Sequence, residues 1–556
     1  MKKLFVLAGI VLVLSALQSM PPTKLLIVSD TNRDGKIVIA DDLEDRNAWT
    51  AGRGAVFMFN NDSDQGGGRQ DCADRKVNGP ADLLDLAPVV IGRLPGAADG
   101  DRLRVSLSES ARPFVNIFYK NGGDYIFIEN EAGQELPARL LKDGDVELRV
   151  EANSYAFPGW DGTVDIAAVL QGKDGALEDS VRLKVAPFVM LSAVRKAERI
   201  YVRDYPGKNE AFIRSLKDVT SKLGIELKIV GPESYPVWEV WLQDIMEIGF
   251  SQTPLQGQHV VFKSNRGRPL DDMPEKEMLG PDHGWFKWSA QIPETSTGRG
   301  GDSWLDWYGN LEVTPPLPGK PLGRIFYGYN KQTGRSLNPE IAAMLEAQGV
   351  QAPLIKIHTG WLLIKHVDEV FNFVPAKGGM GFRLLVPDAQ TTFRLLDQWV
   401  SEGKGGLPLL KGLRPNATVS SLAADGPLRD FNLKLQKEEI EFSIDEMMTA
   451  AGLAEADLIR IPALFVPEGK FAPALMPNMV NSVHMNGHQL MADPRGPVDG
   501  EKDLIQEYVR GLLGKEGIEV HFVDDFVYHK WSGNVHCGTN VAYSFRNRSS
   551  GNPLAP

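Results

Sequence analysis

The stretch Asn534-Val535-His536-Cys537-Gly538-Thr539-Asn540 holds one of only two cysteines in a chain of 556 residues. A cysteine is often no more than a small buried hydrophobe, and it becomes reactive where its neighbours favour the thiolate. Two other stretches offer such neighbours. Asp244 stands in Trp241-Leu242-Gln243-Asp244-Ile245-Met246-Glu247, and His366 and Asp368 stand in Trp361-Leu362-Leu363-Ile364-Lys365-His366-Val367-Asp368-Glu369. A thiol, an imidazole and two carboxylates are the parts of a nucleophile with an acid–base partner and an anionic grip. The apolar run 361–364 reads as a buried strand leading into a site. Residues two apart in a strand share a face, so His366 and Asp368 are expected to point the same way.

The rest of the chain sets the context. Hydrophobic residues are 43% and charged residues 24%, ordinary for a soluble globular protein, and the length allows two to four domains. The net charge of −12 argues against a nucleic-acid partner and suits metal cations or a basic substrate. Met1-Lys2-Lys3 and the apolar run 4–17 read as a secretory signal peptide over residues 1–19. The expected location is therefore secreted or periplasmic, with no stable membrane insertion after cleavage. The run is short for a bilayer span. Two cysteines make no disulfide framework, and both Cys72 and Cys537 are expected to be free.

The first half after that run is rich in carboxylates. Asp30-Thr31-Asn32-Arg33-Asp34-Gly35, with Asp41 at the twelfth position, follows a calcium-loop pattern. Oxygens of Asp30, Asn32 and Asp34 would converge, Gly35 would allow the sharp turn, and Asp41 would close the site. Between Asn60 and Asp85 lie Asp62, Asp64, Asp71, Asp74, Asp82 and Asp85, opposed only by Arg69, Arg75 and Lys76. Such crowding repels itself unless cations neutralise it. From 103 to 189 short apolar runs alternate with Gly and Asp turns, as in a β-sandwich. From about 193 strands alternate with helical stretches, an α/β pattern. No glycine fingerprint for a nucleotide is present.

Taken together, these motifs resemble the calcium-dependent peptidylarginine deiminases from about residue 25 to about residue 545. The resemblance implies an α+β multidomain chain. An immunoglobulin-like calcium-binding domain over 24–192 would precede a five-bladed α/β propeller over 193–556. The family's usual first β domain is expected to be missing. By resemblance, Asp244 and Asp368 hold a guanidinium, Cys537 attacks it and His366 handles the protons. Trp241 packs on the arginine stem and Arg266 bonds the substrate backbone. The implied partners are arginine-containing proteins or peptides, and the implied cofactor is Ca2+. Its ligands near the site would be Gln243, Glu247, Glu312 and the carbonyls of Tyr308 and Leu311. Further ligands would be Asn60, Asp62, Asp64, Asp71, Asp74, Asp82, Asp85, Glu151 and Asp282. The segment Met476-Pro477-Asn478-Met479-Val480-Asn481 matches the family without an assigned chemistry.

The chain departs from the family at a second calcium site, whose carboxylates are replaced by Ile245 and Lys263. Only Ser264 and Asn265 remain there. No second ion is expected. Lys263 is expected to act as a built-in cation bonded to backbone oxygens. Two other readings stay open: a deiminase of a small guanidine such as free arginine or agmatine, and a catalytically silent calcium-dependent adhesion module. The residues leave the oligomeric state open.

Overall fold

The computed structural model describes residues 24–545, apart from 51, 67, 130–133, 265 and 289–299. The expected signal segment 1–19 and Asn265 lie outside the described residues.

The first part is built by period-two patterning. In the strand Thr163–Gly172, Val164, Ile166, Ala168 and Leu170 are buried while the residues between them are not. A two-residue turn returns the chain into Gly175–Val185, with Gly172 opposite Gly175. Two five-stranded sheets result. One runs Ile27–Ser29, Ala87–Ile91, Val146–Ala152, Val115–Asn121, Asp124–Phe127, and is antiparallel throughout. The other runs Ala55–Phe57, Gly175–Val185, Thr163–Gly172, Arg102–Leu107, Gln134–Pro137. Val89, Leu148 and Val150 of the first share one core with Val105, Ile166 and Leu183 of the second. This is the β-sandwich read from the sequence. Its last strand ends at Val185, and the next strand, Val189–Met190, already pairs with Met246–Gln252. The changeover thus falls a few residues before 193.

The second part is mixed α/β and contains, among the described residues, five small sheets of three or four strands and a two-stranded ribbon, Val498–Asp499 with Lys502–Asp503. Each of the five has a strand with an antiparallel neighbour on one side and a parallel neighbour on the other. Parallel neighbours need a crossover, and helices supply it in four sheets. Glu210–Leu223 joins Ala197–Arg203 to Glu226–Val230, burying Phe212, Ile213, Leu216 and Val219. It stops at Gly224, whose φ of 65° suits a residue without Cβ. Pro339–Ala347, Ala389–Ser401 and Leu504–Gly514 do the same in three further sheets. The strand Ala197–Arg203 also pairs with Thr539–Tyr543, so the start and end of this part lie side by side.

One local expectation is corrected. The run 361–364 is a turn, not a strand. Trp361, Leu362 and Leu363 are buried as their apolarity requires, but the chain must pass between two different sheets, from Ile355–His358 to Asn372–Pro375. Short apolar runs do not by themselves distinguish these cases. His366 is extended and opens one turn of 3-10 helix, Val367–Glu369. Among the described residues no helix is long and apolar enough to cross a membrane.

Candidate active site

Each of the five sheets delivers one side chain to a common place. Asp244 precedes the strand Met246–Gln252, and Glu312 lies in Leu311–Val313. Asp368 precedes Asn372–Pro375, Asn481 precedes Val483–Met485, and Cys537 precedes Thr539–Tyr543. The residues are far apart in sequence and meet because the strands present the same end.

Cys537 is buried and held by neighbours on two sides. Its Sγ lies 3.2 Å from the Asn481 amide and 3.5 Å from Asp368 Oδ2. Its backbone N–H donates to Asn481 Oδ1 at 3.2 Å. Burial, and then the charges of Asp368, Asp244 and Glu369, push the thiol well above its ordinary range. His536 Nδ1 sits 2.9 Å from Asp368 Oδ2, and its Nε2 lies 3.4 Å from Glu312 Oε1. Burial works against charge on His536, but Glu312 and Asp368 outweigh it and raise the imidazole.

Asp244 lies near the same groups, within reach of the charges of His366, Arg266 and Asp368. Burial raises it to about 6, against the lowering pull of His366 and Arg266. Its Oδ1 is 3.6 Å from His366 Nδ1. His366 Nε2 lies 2.9 Å from the Trp304 carbonyl, so that nitrogen carries the proton and Nδ1 is the exchangeable position. Asp244 Oδ1, Asp368 Oδ1 and His366 Nδ1 are all buried without a hydrogen-bond partner. Buried polar atoms without partners are costly, and three in one place mark where a multivalent donor fits. Gly309 makes room for them: a Cβ there would stand 2.4 Å from His366 Nδ1.

Trp241 is half-buried, edge-on to Tyr528, and next to Gly533. Arg266 differs from expectation. Its side chain is fully buried, donating to Glu239 Oε2 at 2.7 Å and Asp271 Oδ1 at 2.8 Å, with Asp244 Oδ2 at 3.9 Å. The chain's own carboxylates thus take the Nε and Nη2 of the fork that was expected to meet a peptide, while Nη1 has no hydrogen-bond partner. Burial opposes its charge, yet Asp271 and Glu239 raise it further. Arg268, one-third exposed, shares Glu239.

Oxygen ligands cluster beside the thiol. The Gln243 amide lies 2.5 Å from Glu247 Oε1, and the Gln243 N–H donates to the Cys537 carbonyl at 3.3 Å. Glu247 is pushed well up by burial and by Glu312, and Glu312 is raised by burial to about 7. Tyr308 and Leu311, which offer carbonyls, flank the short turn between them. Two half-buried carboxyls, the first raised in part by the charge of the second, with an amide and carbonyls nearby, suit a hard dication. Lys263, at the expected second position, is buried. Its ammonium bonds Glu275 Oε1 at 2.5 Å and Asp272 Oδ1 at 3.2 Å, carboxylates rather than the expected backbone oxygens.

The acidic cluster of the sandwich is also drawn together. Ligand oxygens of Asp62, Asp64 and Asp85 lie within 4.8 Å of one another. Burial and mutual repulsion raise Asp62 to about 8, Asp85 to about 10 and Asp64 to about 6. Asn60 Oδ1, Asp62 Oδ1, Asp64 Oδ2 and Asp85 Oδ1 are buried without partners. Asn60 bridges Asp82 and Glu151, each at 2.8 Å, and burial lifts Glu151 to about 8. Asp71 accepts from the Asp64 N–H at 2.8 Å, and the Asp282 N–H donates to Asp62 at 2.8 Å. Asp74 turns instead to Asn78. The donor chemistry fits calcium. In the first loop Asp30 accepts from the N–H groups of Asp34 and Gly35, and Asn32 from Asp34. Asp34 and Asp41 are exposed. The carboxylate that turns inward is Asp42, which accepts from Thr31, Asn32 and Val38. Asp41 is one residue out of register because the chain turns at 38–42.

Two family descriptions match this chain. "Protein-arginine deiminase (PAD)" covers residues 176–547, and "Protein-arginine deiminase (PAD) middle domain" covers residues 25–171. The chain belongs to the protein-arginine deiminase family. Protein-arginine deiminase type-4 of Homo sapiens is 32% identical over 559 residues, covering 94% of this chain and 83% of that one. Type-1 of Homo sapiens is 32% identical over 543 residues, covering 92% and 80%. Among solved structures, agmatine deiminase of C. jejuni matches with a TM-score of 0.38 and 11% identity, covering 64% of this chain and 96% of that one. That likeness is too slight to argue from.

Three residues of this family member were passed over by motif reading. His536 stands directly beside the cysteine, and a His next to a thiol is a usable signal in the sequence. Asn481 and Glu369 bond the catalytic segments through backbone and side chain. Only their positions in the matched segments pointed to them.

Proposed function

We propose that this deiminase converts peptidyl arginine to peptidyl citrulline and ammonia, with Cys537 as nucleophile. The observation that supports this most is the trio of unpartnered atoms, Asp244 Oδ1, Asp368 Oδ1 and His366 Nδ1, beside the buried thiol. A guanidinium offers N–H donors in one plane and a positive charge between two carboxylates. That charge offsets what holds the Cys537 proton on, so the substrate itself favours the thiolate. The Sγ–H proton passes to the free lone pair of His366 Nδ1 as sulfur bonds the guanidinium carbon. His366 gives a proton from Nδ1 to one amino group, which leaves as ammonia. It next takes a proton from water, whose oxygen bonds the same carbon as the carbon–sulfur bond breaks. Citrulline is released and the thiol is restored.

Calcium held by Gln243, Glu247, Glu312 and the carbonyls of Tyr308 and Leu311 would neutralise the local carboxylates and fix the turn that carries Asp244. Asn60, Asp62, Asp64, Asp71, Asp82, Asp85, Glu151 and Asp282 would hold further ions at the junction of the two parts. We also read the five small sheets as blades of a five-bladed propeller. The support is their repeated strand pattern and the delivery of one site residue by each. The basic start and apolar run 4–17 support export, which N-terminal sequencing of the mature protein would test.

Ammonia release from a blocked arginine peptide, with calcium and with chelator, tests the activity. Cys537→Ser is expected to abolish it without changing Tm, and retained turnover would remove Cys537 from the mechanism. Arg266, whose Nε and Nη2 are already taken by Asp271 and Glu239, keeps the small-guanidine reading alive. Comparison of kcat/KM for the peptide and for free arginine decides it, with the peptide expected to be much better.

A further inference from the structure

The strands His488–Ala492 and Glu519–Val523 run parallel, with His488 opposite Glu519. Glu519 and His521 are two apart in one strand and so share a face. His488 reaches the same face from its neighbour. His488 Nδ1 lies 2.9 Å from His521 Nε2. Glu519 Oε1 lies 3.4 Å from His521 Nε2, and Glu519 Oε2 lies 3.7 Å from His488 Nδ1. None of these residues takes part in the arrangement around Cys537.

The spacing is that of a metal's coordination shell. A tetrahedral zinc ion with bonds of about 2.0–2.1 Å has edges between ligands of roughly 3.3–3.4 Å. The nitrogen–nitrogen edge is 2.9 Å and the edges to the carboxylate, each to a different Glu519 oxygen, are 3.4 and 3.7 Å; the three bracket that value. The two rings stack with centroids 5.2 Å apart and 26° between planes, which sets the two nitrogens side by side. Only one proton fits between two nitrogens at hydrogen-bond distance, so at least one of them offers a lone pair. Neutral imidazole is the ligating form.

We propose that His488, Glu519 and His521 form a site for a divalent transition metal of the zinc class. Two imidazoles and one carboxylate suit zinc, nickel, cobalt or copper, whereas calcium takes oxygens. Glu519 is largely exposed, so the remaining coordination position is open to water. The ion would staple the two strands beside the turn where the Glu519 N–H donates to the Gly487 carbonyl. That sheet begins just after Asn481, and its last strand leads on to Cys537.

The test uses the full chain carrying Cys537→Ser, so that the reactive thiol does not compete for soft metals, in excess calcium. Zn2+ is titrated by calorimetry and Co2+ by visible absorption. One ion per chain is expected, with a Kd of about 10 µM or tighter. Bound Co2+ is expected to show visible bands without the near-ultraviolet band of a thiolate ligand. His521→Ala or His488→Gln should weaken binding by about 30-fold or more. Should the variants misfold, the unsubstituted histidines give the same reading: Zn2+ must shield His488 and His521 from diethylpyrocarbonate. Binding unaffected by both substitutions, no binding below millimolar zinc, or no shielding would overturn the site.

Discussion

Asn481 holds Cys537 twice, accepting from its backbone N–H and donating to its Sγ, each at 3.2 Å. One amide therefore fixes both where the sulfur lies and which way it points. Its amide also reaches the Asp368 carbonyl at 3.3 Å.

Asn481→Ala is expected to lower kcat by about 10- to 100-fold, the worth of one hydrogen bond to a charged group, about 1.5–3 kcal/mol. KM should change little, since Asn481 does not line the guanidinium's carboxylates. Asn481→Asp should be worse, because it sets a negative charge against the thiolate. Citrulline assays on both variants check this, and a variant retaining more than half of kcat would contradict it.

The acid limb of activity should report Asp244. Its carboxyl is raised to about 6 by burial, so below that pH it is protonated and its grip on a cation is lost. kcat/KM is expected to rise with pH through about 6, since it reports groups of the free enzyme. The pH profile with a blocked arginine peptide is the measurement. A profile flat from 5 to 7 would show that Asp244 is ionised throughout.

Lys263 is almost fully buried while Asp272 and Glu275 remain partly exposed. Lys263→Ala strands two carboxylates that water can still reach, so the expected loss of stability is roughly 1–3 kcal/mol, below that for a fully buried pair. Activity at saturating calcium should fall too. Lys263 ends the strand paired with Met246, two residues after Asp244. Thermal melts and a calcium titration of activity test this; unchanged curves in both would assign Lys263 no role.

The acidic cluster makes stability depend on pH in a direction set by calcium. Asp62 and Glu151 are raised to about 8 when folded, far above their unfolded values. The folded chain then binds more protons than the unfolded one, so without calcium stability should fall as pH rises from about 4 to about 8. Calcium should reverse the trend, because it binds the ionised form and releases protons. Melting curves at pH 5.5 and 8, with calcium and with chelator, are the check; a calcium-independent trend would remove the cluster as an ion site.

The sequence made the larger features legible because each had its own local pattern. Alternation such as Val164, Ile166, Ala168, Leu170 announces a half-buried strand, and the thiol, Asp244 and the His366–Asp368 pair stood in recognisable company. What stayed hidden depends on partners distant in sequence. Apolarity put 361–364 inside but could not show that the chain turns there between sheets. Arg266 looked like a free fork because Glu239 and Asp271 do not announce that they close on it. Asp41 and Asp42 are indistinguishable in the sequence until the turn at 38–42 decides which one faces inward.

The pairing of Ala197–Arg203 with Thr539–Tyr543 brings timing into the protein's chemistry. Cys537, the proposed nucleophile, immediately precedes the last of the described strands, so a chain still being synthesised can form four of its small sheets before residue 537 exists. The guanidinium grip can be assembled early, but the sulfur arrives last. A chain cut short before residue 537 lacks the proposed nucleophile and is expected to be inert toward arginine, so that synthesis itself acts as the safety catch.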